Sequence, residues 1–401
     1  MFGCKAYEKR IEMKSTLKRT WAEINLDAIE YNYKKIKEHI GENVKFAGIV
    51  KADAYGHGSV KVGAKLQELG ADYLAVSSID EAMELRFNGI TMPILILGHT
   101  PREQVDRLIC FNITQAVTCE AKALEYSAEA VKCKGTLKIH IKVDTGMSRL
   151  GYLCEGEHFE HGIEGIVNVC KLSNLDAEGI FTHFAVSDED GEECKEYTDH
   201  QLELFKAVIT EVEKKSGKAF LLHHCANTGA TVNRPDSYMD MVRPGLLLYG
   251  YGEFAKALGL KPVMSMKTTV STIKVYPKGT KISYGGIYTT TGKTRMGVVP
   301  YGYADGFMRC LSNKYSFMTE EGAVRQRGRI CMDMCMIDLT DKFSIDVGSE
   351  IEIFGENNPI EAMAEMAGTI PYELVCAVSK RVHRIYIENG EVVDKELMLR
   401  M

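Results

Sequence analysis

The sequence predicts an α/β protein, a (β/α)8 TIM-type barrel followed by a mostly-β C-terminal domain. Three observations carry this. From residue 45 to about 250, short apolar runs alternate with helical stretches. After about residue 262, runs rich in Thr, Val and Ile are parted by Gly and Asn turns, with no long helices between them. The residues with chemistry to offer fall at the ends of the apolar runs, where a barrel of this kind carries its function.

The apolar runs of the first part cover residues 45–50, 73–76, 93–97, 114–117, 137–143, 177–184, 220–225 and 241–249. Eight nearly continuous apolar runs read as parallel strands buried on both faces. Helix starts stand between them. Ser78-Ile79-Asp80-Glu81 has the pattern of a capping box, and Thr100-Pro101-Arg102-Glu103 reads as a second one with proline at the first helical position. A doubly wound open sheet is the competing arrangement, but the G-x-G-x-x-G that usually follows its first strand is missing. In the second part, residues 264–276, 281–290, 294–300, 329–339 and 351–354 read as strands, interrupted by one helix over 359–368. The barrel is expected over 27–262. The β domain takes 263–401 together with 14–26.

At 401 residues the chain has room for two domains. A formal charge of −6 gives no reason to expect nucleic acid or an anionic membrane as partner. The twelve cysteines form no C-x-x-C pair, so neither a zinc site nor a disulfide framework is expected. Residues 1–20 are basic without the apolar segment of a secretory signal, and no apolar run is long enough to span a bilayer. A cytoplasmic enzyme without a metal is the expectation.

Lys51 closes the first apolar run and precedes Ala52-Asp53-Ala54-Tyr55-Gly56-His57-Gly58. An amine on a rigid strand end, partly stripped of water, has a lowered pKa and suits Schiff-base chemistry with an aldehyde. A lysine snorkelling from a strand end is the commoner case, so the other strand ends must decide. The fifth runs into Lys142-Val143-Asp144-Thr145-Gly146-Met147-Ser148-Arg149, the sixth ends at Thr182-His183-Phe184 and the seventh at His223-His224-Cys225. Asn227-Thr228-Gly229 and Arg243-Pro244-Gly245-Leu246 follow at the seventh and eighth, where barrels commonly bind phosphate. Taken singly, His183 reads as a core histidine, Arg243 as an ion-pair partner and Asn227 as a helix cap. Together, a reactive lysine across from a phosphate rim implies an aldehyde bearing a phosphate: pyridoxal 5′-phosphate.

These blocks bring the chain to a family. With Ala22-Glu23-Ile24-Asn25-Leu26-Asp27, Asp144-Thr145-Gly146-Met147, Arg149-Leu150-Gly151, Ser283-Tyr284-Gly285, Gly302-Tyr303-Ala304-Asp305-Gly306 and Gly328-Arg329-Ile330-Cys331-Met332-Asp333 in the same order, the sequence resembles the pyridoxal phosphate-dependent alanine racemases over nearly its whole length. The resemblance implies a homodimer with shared sites, making D-alanine for peptidoglycan. The first strand of the β domain would come from residues 20–26. Lys51 would hold the cofactor and serve as one base, and Tyr284 from the other subunit would serve as the second. His183 would contact that tyrosine, Arg243 would face the pyridine nitrogen, and His224 would orient Arg243. Tyr55, Asn227, Thr228, Gly245 and Leu246 would surround the phosphate. Arg149 and the backbone of Met332 would meet the substrate carboxylate, and Lys142 matches a lysine often carbamylated in the family.

Two positions depart from the pattern. Lys380 stands where the family often has a tyrosine at the pocket rim, which leaves serine as an alternative substrate, and His383 replaces a proline. A fold-related decarboxylase of basic amino acids lacks counterparts to the Tyr284 and Met332 blocks. A non-catalytic carrier of the cofactor would resemble the barrel alone.

Overall fold

The computed structural model describes residues 19–397. These residues divide into two compact units, one of residues 28–261 and one of residues 19–27 together with 262–397.

In the first unit the parallel strands run in the order Met241–Val242, Lys45–Ile49, Tyr73–Val76, Ile94–Ile96, Thr114–Val117, Leu137–Asp144, Leu175–Phe181 and Leu222–His224. The last gap is bridged by two backbone bonds, Asp240 N–H to the His223 carbonyl (3.1 Å) and Arg243 N–H to the Ala226 carbonyl (2.9 Å). The barrel is therefore nearly closed. Ala47, Tyr73, Leu95, Leu222 and Met241 pack together as one core cluster, with Leu97 against it. Each such large side chain contributes roughly 1.5–3 kcal/mol on leaving water.

Ser78 does form a capping box on the helix Ile79–Phe87: its hydroxyl accepts from the Glu81 N–H while Glu81 accepts from the Ser78 N–H. The second expected box is absent. Thr100 is buried and donates to Gln115 Oε1 at 2.6 Å, so its hydroxyl is spent inside the barrel. Pro101 opens only a short 3-10 turn, Arg102–Gln104, ahead of the helix Val105–Cys110. The eighth strand is also shorter than expected. Pro244 has no N–H to continue a ladder, and the chain leaves strand geometry after Val242 to form the 3-10 turn Leu246–Tyr249.

The second unit holds a ten-stranded sheet among the described residues. The strand Thr20–Asn25 sits inside it, antiparallel to Met264–Thr269 (Thr20 opposite Thr268) and parallel to His383–Glu388 (Trp21 opposite His383). Residues 14–18, also expected in this domain, lie outside the described residues. Residues 264–276 form two strands, Met264–Thr269 and Thr272–Tyr276. Residues 281–290 are a small hairpin, Lys281–Ile282 with Tyr288–Thr289, because Ser283, Gly285 and Gly286 take positive φ between them. Of 329–339 only Cys335–Asp338 is a strand. The helix expected over 359–368 is Ile360–Ala367, closed by Gly368 at φ 72°.

Candidate active site

The turn after the first barrel strand is unusual. Lys51–Gly56 is a helical turn in which Ala52, Asp53, Ala54 and Tyr55 all have φ between 51° and 57°, a left-handed turn of four non-glycine residues. Each costs roughly 1–2 kcal/mol, so surrounding contacts must over-determine it. Glu81 Oε1 accepts from the Ala52 N–H (2.7 Å). Asp53 Oδ1 accepts from the Ser59 N–H (2.9 Å), and His57 Nδ1 lies 2.8 Å from the Ala54 carbonyl. Tyr55 is buried edge-on against Tyr249, whose hydroxyl donates to the Ile49 carbonyl at 2.8 Å. The strand end, the turn and the 3-10 segment after the last strand are thereby fixed to one another, and Lys51 starts from a rigid base.

Arg243, almost wholly buried, is the centre of the polar cluster. Its Nη1 donates to His224 Nδ1 (2.8 Å). Nη2 donates to the carbonyls of Thr182 (2.8 Å) and Cys225 (3.1 Å) and reaches His183 Nδ1 (3.3 Å). These bonds engage one Nη1 hydrogen and both Nη2 hydrogens, and the Nε–H and second Nη1–H are not used in them. Burial lowers the Arg243 pKa to about 10, which leaves it charged at neutral pH. Phe181 lies flat on His224, with ring centroids 4.8 Å apart and planes 6° from parallel. It also faces the Arg243 guanidinium and the Lys142 amine.

His183 shows that the cations converge. Burial comes first in holding its pKa well below the ordinary value, followed by the charges of Arg243, Lys142, Arg149 and Lys51. Lys142 is buried, and burial first, then Arg243, drives its pKa well below that of a free amine. Its Nζ finds the Val143 carbonyl at 3.2 Å. Arg149 is exposed on the loop after the same strand. Asp144 shapes that loop by accepting from the N–H groups of Gly146 and Ser148, both at 3.0 Å.

On the far rim, Asn227 caps the short helix Thr228–Asn233, accepting from the Ala230 N–H (3.2 Å) and from Ser187 Oγ (2.6 Å). Thr228 Oγ1 accepts from the Gly245 N–H at 3.0 Å, which ties the seventh strand's loop to the eighth's. Leu246 is buried at the start of the 3-10 turn.

Tyr284 and Met332 belong to the β unit, and both are exposed, Tyr284 by 70%. Tyr284 opens the 3-10 turn Tyr284–Gly286 rather than standing in a strand. Ser283 Oγ anchors it by donating to the Arg329 carbonyl at 2.6 Å. A cavity of about 430 Å³ is lined by Tyr284, Lys274, Lys281, Cys331 and Met334 among others. The Met332 carbonyl accepts from the Ala304 N–H at 3.0 Å. Gly302 is needed there, since a Cβ on it would stand 2.4 Å from the carbonyl oxygens of Cys331 and Met332. Among the described residues no group of three His, Cys, Asp or Glu could hold a metal ion, and no helix is long and apolar enough to cross a membrane.

Sequence reasoning missed His140, Glu178 and Tyr73. His140 Nδ1 lies 2.8 Å from His224 Nε2, and its Nε2 is 3.6 Å from Glu178 Oε1. Tyr73 donates its hydroxyl to that same oxygen. The available signal was His140 itself, two residues before Lys142 in a strand and so on the same face.

A nearly closed (β/α)8 barrel with a buried, cation-rich cluster at the C-terminal ends of its strands, joined in the chain to a β unit, defines a barrel enzyme. Residues 24–253 match the family model described as alanine racemase, N-terminal domain, and residues 263–386 match that of the alanine racemase C-terminal domain. The chain belongs to the alanine racemase family. It is 41% identical to alanine racemase 2 of Caldanaerobacter subterraneus subsp. tengcongensis, over 97% of this chain and 100% of that one. It is 43% identical to alanine racemase 1 of Clostridium acetobutylicum, over 94% and 97%. Among solved structures, the alanine racemase of Clostridium difficile superposes with a TM-score of 0.89 at 39% identity, covering 95% of this chain and 99% of that one. The Bacillus anthracis alanine racemase with bound L-Ala-P gives 0.85 at 33% identity, covering 95% and 98%.

Proposed function

We propose that this chain is a pyridoxal phosphate-dependent racemase that interconverts L- and D-alanine with two bases, Lys51 and Tyr284. Residues 27–262 would form the cofactor-binding barrel. The observation that carries the reading is the buried Arg243 cluster at the same rim as Lys51. A pyridoxal phosphate needs an amine for its aldehyde, a partner for its ring nitrogen and donors for its phosphate. Lys51 offers the amine and Arg243 offers unspent N–H groups. Tyr55, Asn227, Thr228, Gly245 and Leu246 frame the phosphate side, so the donor set fits the group.

When bound, the cofactor supplies the electron sink that makes the α-proton of a condensed amino acid removable. The protein must then orient Cα–H and move the proton. The Lys51 amine would take or return it at Nζ on one face, and the Tyr284 hydroxyl would do so on the other. A guanidinium donates a hydrogen bond without giving up its proton, which favours return of the proton to Cα over transfer of the amino group. Arg149 and the Met332 N–H would hold the substrate carboxylate. Lys142 is a buried amine whose pKa is held down by burial and by Arg243, which favours the neutral form that carbamylation requires.

Tyr284 stands 70% exposed on its own chain, which supports a homodimer in which each subunit lends Tyr284 and Met332 to its partner's barrel. Sedimentation of the active enzyme tests this, and a fully active monomer rules it out. The enzyme would work in the cytoplasm, supplying D-alanine for peptidoglycan. Lys380 at the family's tyrosine position keeps serine as the second reading. Purified protein assayed with L-alanine, L-serine and L-lysine in heavy water decides among these. Racemic, α-deuterated alanine is expected; release of CO2 from lysine, or no α-deuterium in any substrate, would overturn the proposal.

A further inference from the structure

Among the described residues Arg243 is a buried cation bonded only to neutral acceptors: His224, His183 and the carbonyls of Thr182 and Cys225. The anion that its network reaches is distant in the chain and is approached through two imidazoles. A guanidinium can only donate, so His224 Nδ1 must be an acceptor and the His224 proton must sit on Nε2. That N–H points to His140 Nδ1 at 2.8 Å, which must accept in turn. The His140 proton is thereby forced onto Nε2. This atom is fully buried and makes no hydrogen bond within 3.5 Å, and Glu178 Oε1 stands before it at 3.6 Å. Glu178 is held from behind by the Tyr73 hydroxyl on Oε1 and by Lys138 Nζ, 3.3 Å from Oε2.

The two rings are confined on both sides. A Cβ at position 179 would fall 2.9 Å from three atoms of the His140 ring, so only glycine leaves that ring its place. Phe181 is stacked on His224. Both imidazoles have pKa values lowered chiefly by burial, in keeping with neutral rings.

We propose that Glu178 is a positioning residue for the active site, acting on Arg243 through His140 and His224 in a one-way hydrogen-bond relay that fixes the guanidinium's orientation. Only the role given to Arg243 rests on the racemase reading. The relay has a single polarity. A group at 178 that donates to His140 Nε2 reverses both tautomers and turns the His224 N–H toward Arg243, which has no acceptor to offer. In Glu178→Gln the amide oxygen takes the Oε2 place facing Lys138, which sets the NH2 before His140 Nε2 with almost no change of shape. His140→Phe cuts the relay outright.

The test is nitrogen NMR of the holoenzyme labelled with [15N]histidine, without substrate, with His140→Phe and His224→Phe used for assignment. Both rings are expected as the Nε2–H form. Glu178→Gln is expected to change the His224 nitrogen signals although residue 178 does not touch His224. The same variant should lose about ten- to a hundredfold in kcat with KM nearly unchanged. An imidazolium, or an Nδ1–H form at either ring of the parent, overturns the relay. So does a Glu178→Gln enzyme with unaltered His224 signals, whatever its kcat. The NMR readout needs no turnover, so a parent enzyme that does not racemise alanine would sink the functional reading and leave the relay to be judged by its own signals. Should His140→Phe not fold, Glu178→Gln with the remaining assignment variant decides alone.

Discussion

Glu178→Gln also carries a stability consequence that the structure lets us size. His140 first, then Tyr73 and Lys138, hold the Glu178 carboxyl from an ordinary 4.5 down to about 2. At roughly 1.4 kcal/mol per pH unit, that drop corresponds to about 3 kcal/mol in favour of the folded, ionised state. With its carbonyl toward Lys138 and its NH2 toward His140 and the Tyr73 hydroxyl, glutamine keeps neutral hydrogen bonds but not the charge, so a loss of about 2–3 kcal/mol is expected at pH 7. The sign follows from the depressed pKa. The contribution is complete above about 4.5, where the unfolded carboxyl is also ionised, and it disappears as pH falls toward about 2. The gap between parent and variant should therefore be flat from pH 8 to 6 and roughly halved by about pH 3. Urea unfolding followed by circular dichroism would measure it, at one fixed protomer concentration because association shifts apparent stability. Equal stability at pH 7, or a gap that does not shrink on acidification, would refute the reasoning.

Other substitutions have definite expected outcomes. Lys51→Ala should lose both the visible absorption of bound cofactor and turnover; a coloured, active variant contradicts the assignment. Gly179→Ala would press a methyl group onto the His140 ring, since its Cβ has only 2.9 Å to the ring atoms. A loss of about 1–3 kcal/mol in unfolding free energy is expected, and wild-type stability would mean the ring is free to move. Ala52→Gly relieves a left-handed residue at φ 51° on an exposed site. It should raise stability by up to about 1 kcal/mol, where the same change in a right-handed helix lowers it, and thermal unfolding distinguishes the two.

The barrel was legible because parallel strands buried on both faces leave uninterrupted apolar runs, and those runs stand where the strands are. Its eighth strand was overread, since Leu246–Tyr249 is as apolar as a strand and only Pro244 betrays the break. The β unit was harder. Ser316–Thr319 and Gly322–Arg327 alternate small, charged and apolar residues, and their shared turn, Glu320-Glu321, carries no strong turn signal. The hairpin His383–Glu388 with Glu391–Glu396 did carry one: Asn389-Gly390, both at positive φ, is the pairing such two-residue turns favour. At the rim, Lys142, His183, His224 and Arg243 could be grouped because each lies within two residues of a strand's C-terminal end. The relay behind them could not. His140 and Glu178 lie inside their strands, and the contact from His140 to His224 spans 84 residues, a proximity created by the curved sheet in which both strands flank Leu175–Phe181. The left-handed turn after Lys51 was equally hidden, since Ala-Asp-Ala-Tyr has no glycine to announce it.

The central claim is that two proton carriers, Lys51 and Tyr284, serve opposite faces of one substrate. It is tested most directly by Tyr284→Phe in heavy water, following α-deuteration of L-alanine and of D-alanine separately. One enantiomer should still exchange its α-proton, through Lys51, while exchange of the other and net inversion fall by at least about a hundredfold. Exchange that is slowed equally for both enantiomers, or inversion at the parent rate, would contradict it.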